Sequence, residues 1–176
     1  MEKINWMIDP NHSEVQFKVK HLAISNVSGT FKIFKGNVQS QNEDFSNAEI
    51  SFEIDTNSID TNQEERDGHL KSPIFFDTEK YPTISFNGSL QKNINKYELV
   101  GELKILETKK DIKMDVEYSG TGKGRFNDTR AGFEVNGKIN RKDYGLSWNL
   151  LMEAGDLAVS EEVKLHFDIQ LIKQEN

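Results

Sequence analysis

The sequence predicts an all-β fold: a closed antiparallel barrel of about eight strands with one helix near residues 61–72. Three observations predict it. Apolar and polar residues alternate with period two in segment after segment. Turn-forming Asn, Asp and Gly clusters separate those segments. Only one stretch carries a helix start signal followed by a stop. Strands that are dry on one face must cover that face. With one substantial helix available, the sheet has only itself to pack on, as a sandwich or a closed barrel. Closure also removes exposed strand edges, which favours the barrel.

The first strand is expected at Ile4 to Asp9. In the second, Val15, Phe17, Val19 and His21 share one face, and Glu14, Gln16, Lys18 and Lys20 share the other. Between Val27 and Val38 the alternation changes phase. Val27, Gly29, Phe31 and Ile33 have one parity and Phe34, Gly36 and Val38 the other, so a bulge or bend is expected near Ile33. Ala48, Ile50, Phe52 and Ile54 define the next strand, and Ile84 with Phe86 the one after the helix. Tyr97 to Ile105, Ile112 to Tyr118, Phe133 to Ile139 and Val163 to Leu171 complete the set. The turns include Asn42 to Asp44, Asn93 to Asn95 and Gly120-Thr121-Gly122-Lys123-Gly124. Thr61-Asn62-Gln63-Glu64 reads as a capping box in which the Thr hydroxyl and Glu carboxylate serve the free amides of the first turn. The helix it opens reaches Ser72 before Pro73 stops it. A second short helical turn is expected around Asn149 to Gly155.

The 176 residues suit one domain spanning 1–176, and no repeat, heptad run or linker divides them. Mean hydropathy of −0.67 and the lack of a long apolar run exclude an integral membrane segment. Acidic residues outnumber basic ones 29 to 22, a net charge of −7 that repels phosphate backbones, so no nucleic-acid partner is expected. There are no cysteines, hence no disulfides, thiolate metal sites or cysteine nucleophile. The N-terminus lacks a basic stretch followed by an apolar core, so a cytoplasmic location is expected, or a periplasmic or secreted one if a signal peptide has been removed. Asn-x-Ser/Thr triplets begin at Asn11, Asn26, Asn87 and Asn127 and are read as chance in an Asn-rich chain.

Tests for catalytic and metal chemistry come out negative. His12, His21, His69 and His166 are far apart in sequence, with no His-x-His or His-Glu-x-x-His pair to organise a zinc ion, so no metal is expected. His166 falls on the polar parity of the last strand and His21 on the apolar parity of the second, where an imidazole would face the interior. No Gly-x-Ser-x-Gly nucleophile occurs, and the Gly120 to Gly124 run fits neither the dinucleotide nor the Walker spacing; it is read as a hairpin loop. Neither cofactor nor catalytic residue is expected. The alternatives are an enzyme acting on a hydrophobic substrate with His21, His69 or Asp67 as acid or base, and a structural or partner-binding barrel with a filled interior. The densest polar cluster, Arg66-Asp67-Gly68-His69-Leu70-Lys71, either ties the helix to its neighbours or receives the polar end of a ligand. Aromatic residues make up 10% of the chain and many Phe fall on dry parities, which suits a filled core or a ligand cavity alike.

The ordered residues resemble a known family. Trp6-x-Ile8-Asp9, His12-Ser13, Phe17, His21, Gly29-x-Phe31 and Phe34-x-Gly36 open the pattern. Its most specific part is Ser58-Ile59-x-Thr61, Arg66-Asp67-x-His69-Leu70-Lys71-Ser72, Phe75-Phe76-Asp77 and Tyr81-Pro82-x-Ile84-x-Phe86. Gly101-x-Leu103, Phe133 and Arg141-x-Asp143-Tyr144-Gly145 close it. This set resembles the YceI-like family of lipocalin-like barrels, several of which bind polyisoprenoids or related long-chain lipids. The resemblance implies an extended antiparallel lipocalin-like β-barrel and non-enzymatic binding, transport or storage of a long-chain isoprenoid or similar amphiphilic lipid. It implies a lipid as partner, and a homodimer is compatible with it. Joined to strand parity, it places the tail along Phe17, Val19, Phe31, Phe52, Phe75, Phe76, Phe86 and Phe133. The polar end then lies near His21 or the segment carrying Arg66, Asp67, His69 and Lys71. One departure stands out: Leu106-Glu107-Thr108-Lys109 replaces the Gly-containing turn usual in the family.

Overall fold

A computed structural model describes residues 2–22, 24–147 and 159–175. The expected turn at Asn149 to Gly155 lies outside the described residues. The strands are β1 (Ile4–Ile8), β2 (Glu14–His21), β3 (Ser25–Phe31), β4 (Phe34–Ser40), β5 (Ala48–Asp55), β6 (Ile59–Asp60), β7 (Thr83–Asn93), β8 (Lys96–Ile105), β9 (Thr108–Lys123), β10 (Thr129–Asn140) and β11 (Glu162–Lys173). The helix α1 (Glu64–Lys71) lies between β6 and β7. Every pairing is antiparallel. The order β1-β4-β5-β7-β8-β9-β10-β11 closes through β1 to β11, giving an eight-stranded barrel.

Three of the eight staves are broken. β1 continues into β2 across a short 3-10 turn at Pro10–His12, β3 into β4 across Lys32 and Ile33, and β5 into β6 across a 3-10 turn at Thr56–Ser58. The last two breaks are hydrogen-bonded side by side, Asp55 N to Ile33 O at 2.9 Å and Lys32 N to Ser58 O at 3.2 Å. The phase change read near Ile33 is therefore a full break. It lets Phe31 and Phe34 both turn inward while Ile33 faces solvent. Proline, which has no N–H to give a ladder, stands at the first of these corners. There Asp9 accepts hydrogen bonds from Arg130 (2.6 Å), from His12 (2.7 Å) and from the Asn11 N–H (3.0 Å). Burial opposes its ionisation, but these donors outweigh burial and hold the carboxyl below the usual carboxylate range.

Two local expectations need correction. The helix begins at Glu64 with Gln63 as N-cap and no side-chain capping bond. Thr61 stands too far upstream to cap. Its hydroxyl donates to Asp67 Oδ1 at 2.5 Å and accepts from Arg66 Nε at 2.7 Å. Second, the glycine run is not a hairpin loop. β9 extends through Gly120 and Gly122 to Lys123, the turn is carried by residues 124–128, and the ladder with β10 shifts register between Gly132 and Phe133. Gly120, at φ +123°, occupies backbone space that side-chain-bearing residues rarely adopt, and this lets the strand continue past the irregularity. The Leu106-Glu107 departure forms a two-residue turn between the paired Ile105 and Thr108, with Leu106 at φ 55°.

The two ends of the barrel differ. At the lower end the loop between β4 and β5 folds inward and fully buries Phe45 against Trp6 (4.9 Å), Phe133 (5.0 Å) and Tyr118 (5.6 Å between ring centroids). At the upper end stands α1, which buries none of its residues.

Candidate functional site

The interior of the barrel is hollow. An upper cavity of about 540 Å³ and a lower one of about 110 Å³ occupy the bore. Ile54, Ile84, Leu103, Leu165 and Phe167 line both, so the two chambers meet at this ring. The space exists because large side chains lie flat along the wall over inward-facing glycines. A Cβ on Gly29 would come within 2.2 Å of the Phe17 ring. Gly88 and Gly101 face each other across β7 and β8, and a Cβ on either would stand 2.8 or 2.7 Å from the Phe86 ring. Without those glycines the rings would have to swing into the bore.

Strand parity places the walls as the sequence suggested. Phe17, Val19, His21, Phe31, Phe75 and Phe76 line the upper chamber, and Phe52, Phe86 and Phe133 the lower. The upper aromatics form a chain of ring contacts, Phe17 to Phe31 at 5.5 Å, Phe31 to Phe76 at 6.0 Å and Phe76 to Phe75 at 4.9 Å. Phe75 and Phe76 reach the wall because the chain after α1 folds back, with Phe76 N bonded to Leu70 O at 2.9 Å.

Polar groups are confined to one end. The lower chamber is lined by apolar side chains apart from Ser85, whereas the upper also presents His21, Thr61, Gln63, Glu65, Arg66 and His69. Arg66 is held by Thr61 through the bond from Nε and a second from Nη2 to the Thr61 carbonyl at 2.6 Å. Asp67 and Lys71 line neither chamber. The Asp67 carboxylate accepts from both Thr61 N–H and hydroxyl, and the Lys71 carbonyl accepts from Thr78 N–H.

The sequence reading missed Arg141 as a wall residue. It follows β10, is 2% exposed, and lines the upper chamber. Its guanidinium donates to the carbonyls of Leu146 (2.6 Å), Ser160 (3.0 Å) and Val159 (3.3 Å). Burial depresses its pKa, and the nearby Glu161 opposes that effect. The signal was present twice, in Arg141-x-Asp143-Tyr144-Gly145 and in parity, since Arg141 continues the inward series Phe133, Val135, Gly137 and Ile139 one step past the end of β10. Leu146, Leu70 and Ile105 also join the wall without having been singled out.

This bore can take an apolar chain along its length and meet a polar group at one end. Among curated relatives, a UPF0312 protein of Staphylococcus epidermidis is 38% identical over 165 residues, covering 93% of this chain and 94% of that one. A UPF0312 protein of Staphylococcus aureus is 35% identical over 161 residues, covering 91% and 92%. Among solved structures, the YCEI protein of Campylobacter jejuni is 30% identical, with a TM-score of 0.73 and coverage of 90% and 91%. A polyisoprenoid-binding domain from Saccharophagus degradans, implicated in plant cell wall breakdown, is 16% identical and shares the fold, with a TM-score of 0.70 and coverage of 96% and 98%. The YceI-like domain matches residues 6–171, which hold the barrel and both chambers, and the chain belongs to that family.

Proposed function

We propose that the protein binds a single-tailed long-chain amphiphile, an isoprenoid or a similar lipid, and carries or stores it without altering it chemically. The observation that carries this reading is the separation of character along the bore: an apolar lower chamber, and an upper chamber whose polar groups gather near α1 and β2. The tail lies along Phe17, Phe31, Phe76 and Phe86 and through the ring at Leu103 and Phe167. The polar end rests among His21, Arg66 and His69. At about 540 Å³ the upper chamber alone is within the usual size of a small-molecule pocket. Burying about ten carbons at roughly 0.8 kcal/mol each contributes on the order of 8 kcal/mol, enough for micromolar binding before ordering costs. The polyisoprenoid-binding domain that shares this fold supports the reading. Native mass spectrometry of gently purified protein, followed by solvent extraction, tests it. The expected result is a bound long-chain amphiphile, recovered unchanged after incubation. Repeated failure to recover or load any such molecule overturns the binding role, and recovery of a converted product overturns the carrier role.

A further inference from the structure

Outside the bore, β2, β10 and β11 repeat one pattern. Each carries a lysine, a polar residue and a carboxylate at two-residue steps on its outer face: Lys18, Gln16 and Glu14; Lys138, Asn136 and Glu134; Lys164, His166 and Asp168. Register lines the three strands up. Lys138, Lys164 and Lys18 stand directly opposite one another, as do Asn136, His166 and Gln16, and then Glu134, Asp168 and Glu14. Glu117 of β9 extends the acidic row beyond Glu134.

Within one barrel this arrangement is unfavourable. Like charges directly opposite in a ladder destabilise it, and both the lysine row and the acidic row set them so. The two rows are four residues apart along each strand, about 13 Å, too far to pair with each other. Other partners are sparse. Among the described residues, Lys18 and Lys164 form no ion pair, and Lys138 reaches only Glu162, at 3.7 Å. Among the same residues no lysine or arginine pairs with Glu14, Glu117, Glu134 or Asp168. Gln16 donates to Glu14 at 2.8 Å, and the His166 ring stands 3.8 Å from Glu134 and 3.2 Å from Asp168.

The face is nevertheless complementary to itself. A two-fold axis laid along the middle row reverses strand direction and brings the acidic row of a second copy over the lysine row. Lys18 then faces Glu14 of the second copy, Lys138 its Glu134 and Lys164 its Asp168, and every contact occurs twice, as in any isologous interface. On the axis the amides of Asn136 and Gln16 meet their own counterparts, and each can donate and accept. An axis along the strands would set lysine on lysine, so only one of these two aligned arrangements is favourable. We propose that the outer face of β2, β10 and β11 binds a second copy of this chain end for end. Repulsion along each row is then relieved by opposite charge across the interface. The patch covers three strands over five residues of each, smaller than an obligate interface, so the pair is weak and reversible. It does not depend on what the lumen holds.

Sedimentation velocity of the tag-free chain at low ionic strength tests this, with circular dichroism confirming that each variant keeps its strands. A reversible dimer is expected at about 0.1 mM protein, weakened about tenfold or more by about 0.5 M salt. The double variants Lys18→Glu with Lys164→Glu, and Glu14→Lys with Asp168→Lys, should each be monomeric at that concentration, because each sets like charge against like. Mixed in equal amounts they should restore the dimer, since the reversed row of one fits the reversed row of the other. A parent chain that stays monomeric under these conditions overturns the proposal. So does a dimer that survives in either double variant, which places the contact on another face, or a dimer indifferent to salt. A mixture that stays monomeric although both variants are folded overturns it as well.

Discussion

The two ends of the barrel are closed by opposite means. Below, a loop drives one large aromatic into the bore. Phe45 is fully buried among three other rings although its own backbone sits at φ 60°, a costly conformation for a bulky residue. The same loop is tied outward, with Tyr97 donating to Asp44 O at 2.7 Å and Lys92 pairing with Asp44 at 3.0 Å. Above, α1 contributes side chains to the wall but buries none of them, and it is seated by the bonds that Asp67 and Arg66 make to Thr61. The difference teaches where stability and access reside. The lower end is part of the core, and the upper end is a polar cover over an apolar chamber, held by hydrogen bonds that can break without exposing much apolar surface.

The largest expected effect tests the lower end. Phe45→Ala should cost about 3–5 kcal/mol, the usual range for an aromatic lost from a packed core, measured by denaturant unfolding. A loss below about 1 kcal/mol would mean that the loop merely covers the opening, and the contrast between the ends would fail. Asp67→Asn at the upper end should cost only about 1 kcal/mol. Its signature should be local: faster amide exchange in α1 and faster exchange of a fluorescent fatty-acid probe, with the barrel amides unchanged. Global loosening in that variant would show that α1 is integral to the core. The smallest effect is a pH dependence. Hydrogen bonds from the Ser46 hydroxyl and N–H, with Lys92 beside them, hold the Asp44 carboxyl down at about 2. A depressed carboxylate stabilises the fold above its unfolded pKa of 3.8, and this contribution is lost as pH falls from about 3.8 toward 2. Because the Asp44 side chain is about half exposed, it amounts to about 1 kcal/mol or less. Acid titration of the parent against Asp44→Asn should show the difference between them shrinking across that window.

Strand parity read from the sequence located most of the wall. Phe17, Phe31, Phe52, Phe86 and Phe133 all face inward, as their alternation requires. The polar cluster on α1 was legible as a cluster but not in its division of labour. Arg66 and His69 line the chamber, while Asp67 turns to Thr61, a choice made by tertiary distances that a helical repeat does not encode. Phe45 gave no signal at all, since it lies in a turn-rich stretch where periodicity is silent. Arg141 differs: it continues the inward parity of Val135, Gly137 and Ile139, but a charged residue just past a strand end does not announce itself as a wall residue.

The sequence by itself determined which residues are dry and which are wet, because the two faces of a pleated strand follow from the covalent geometry of neighbouring residues. It also determined the absence of thiol chemistry and the net acidity. Only the tertiary structure decided which strands stand side by side and in what register. That choice hollowed the bore over paired glycines, stoppered it with a loop residue, and set Glu134 opposite Asp168 beside His166. These outcomes depend on contacts between residues tens of positions apart, whose energies are summed only when the barrel closes.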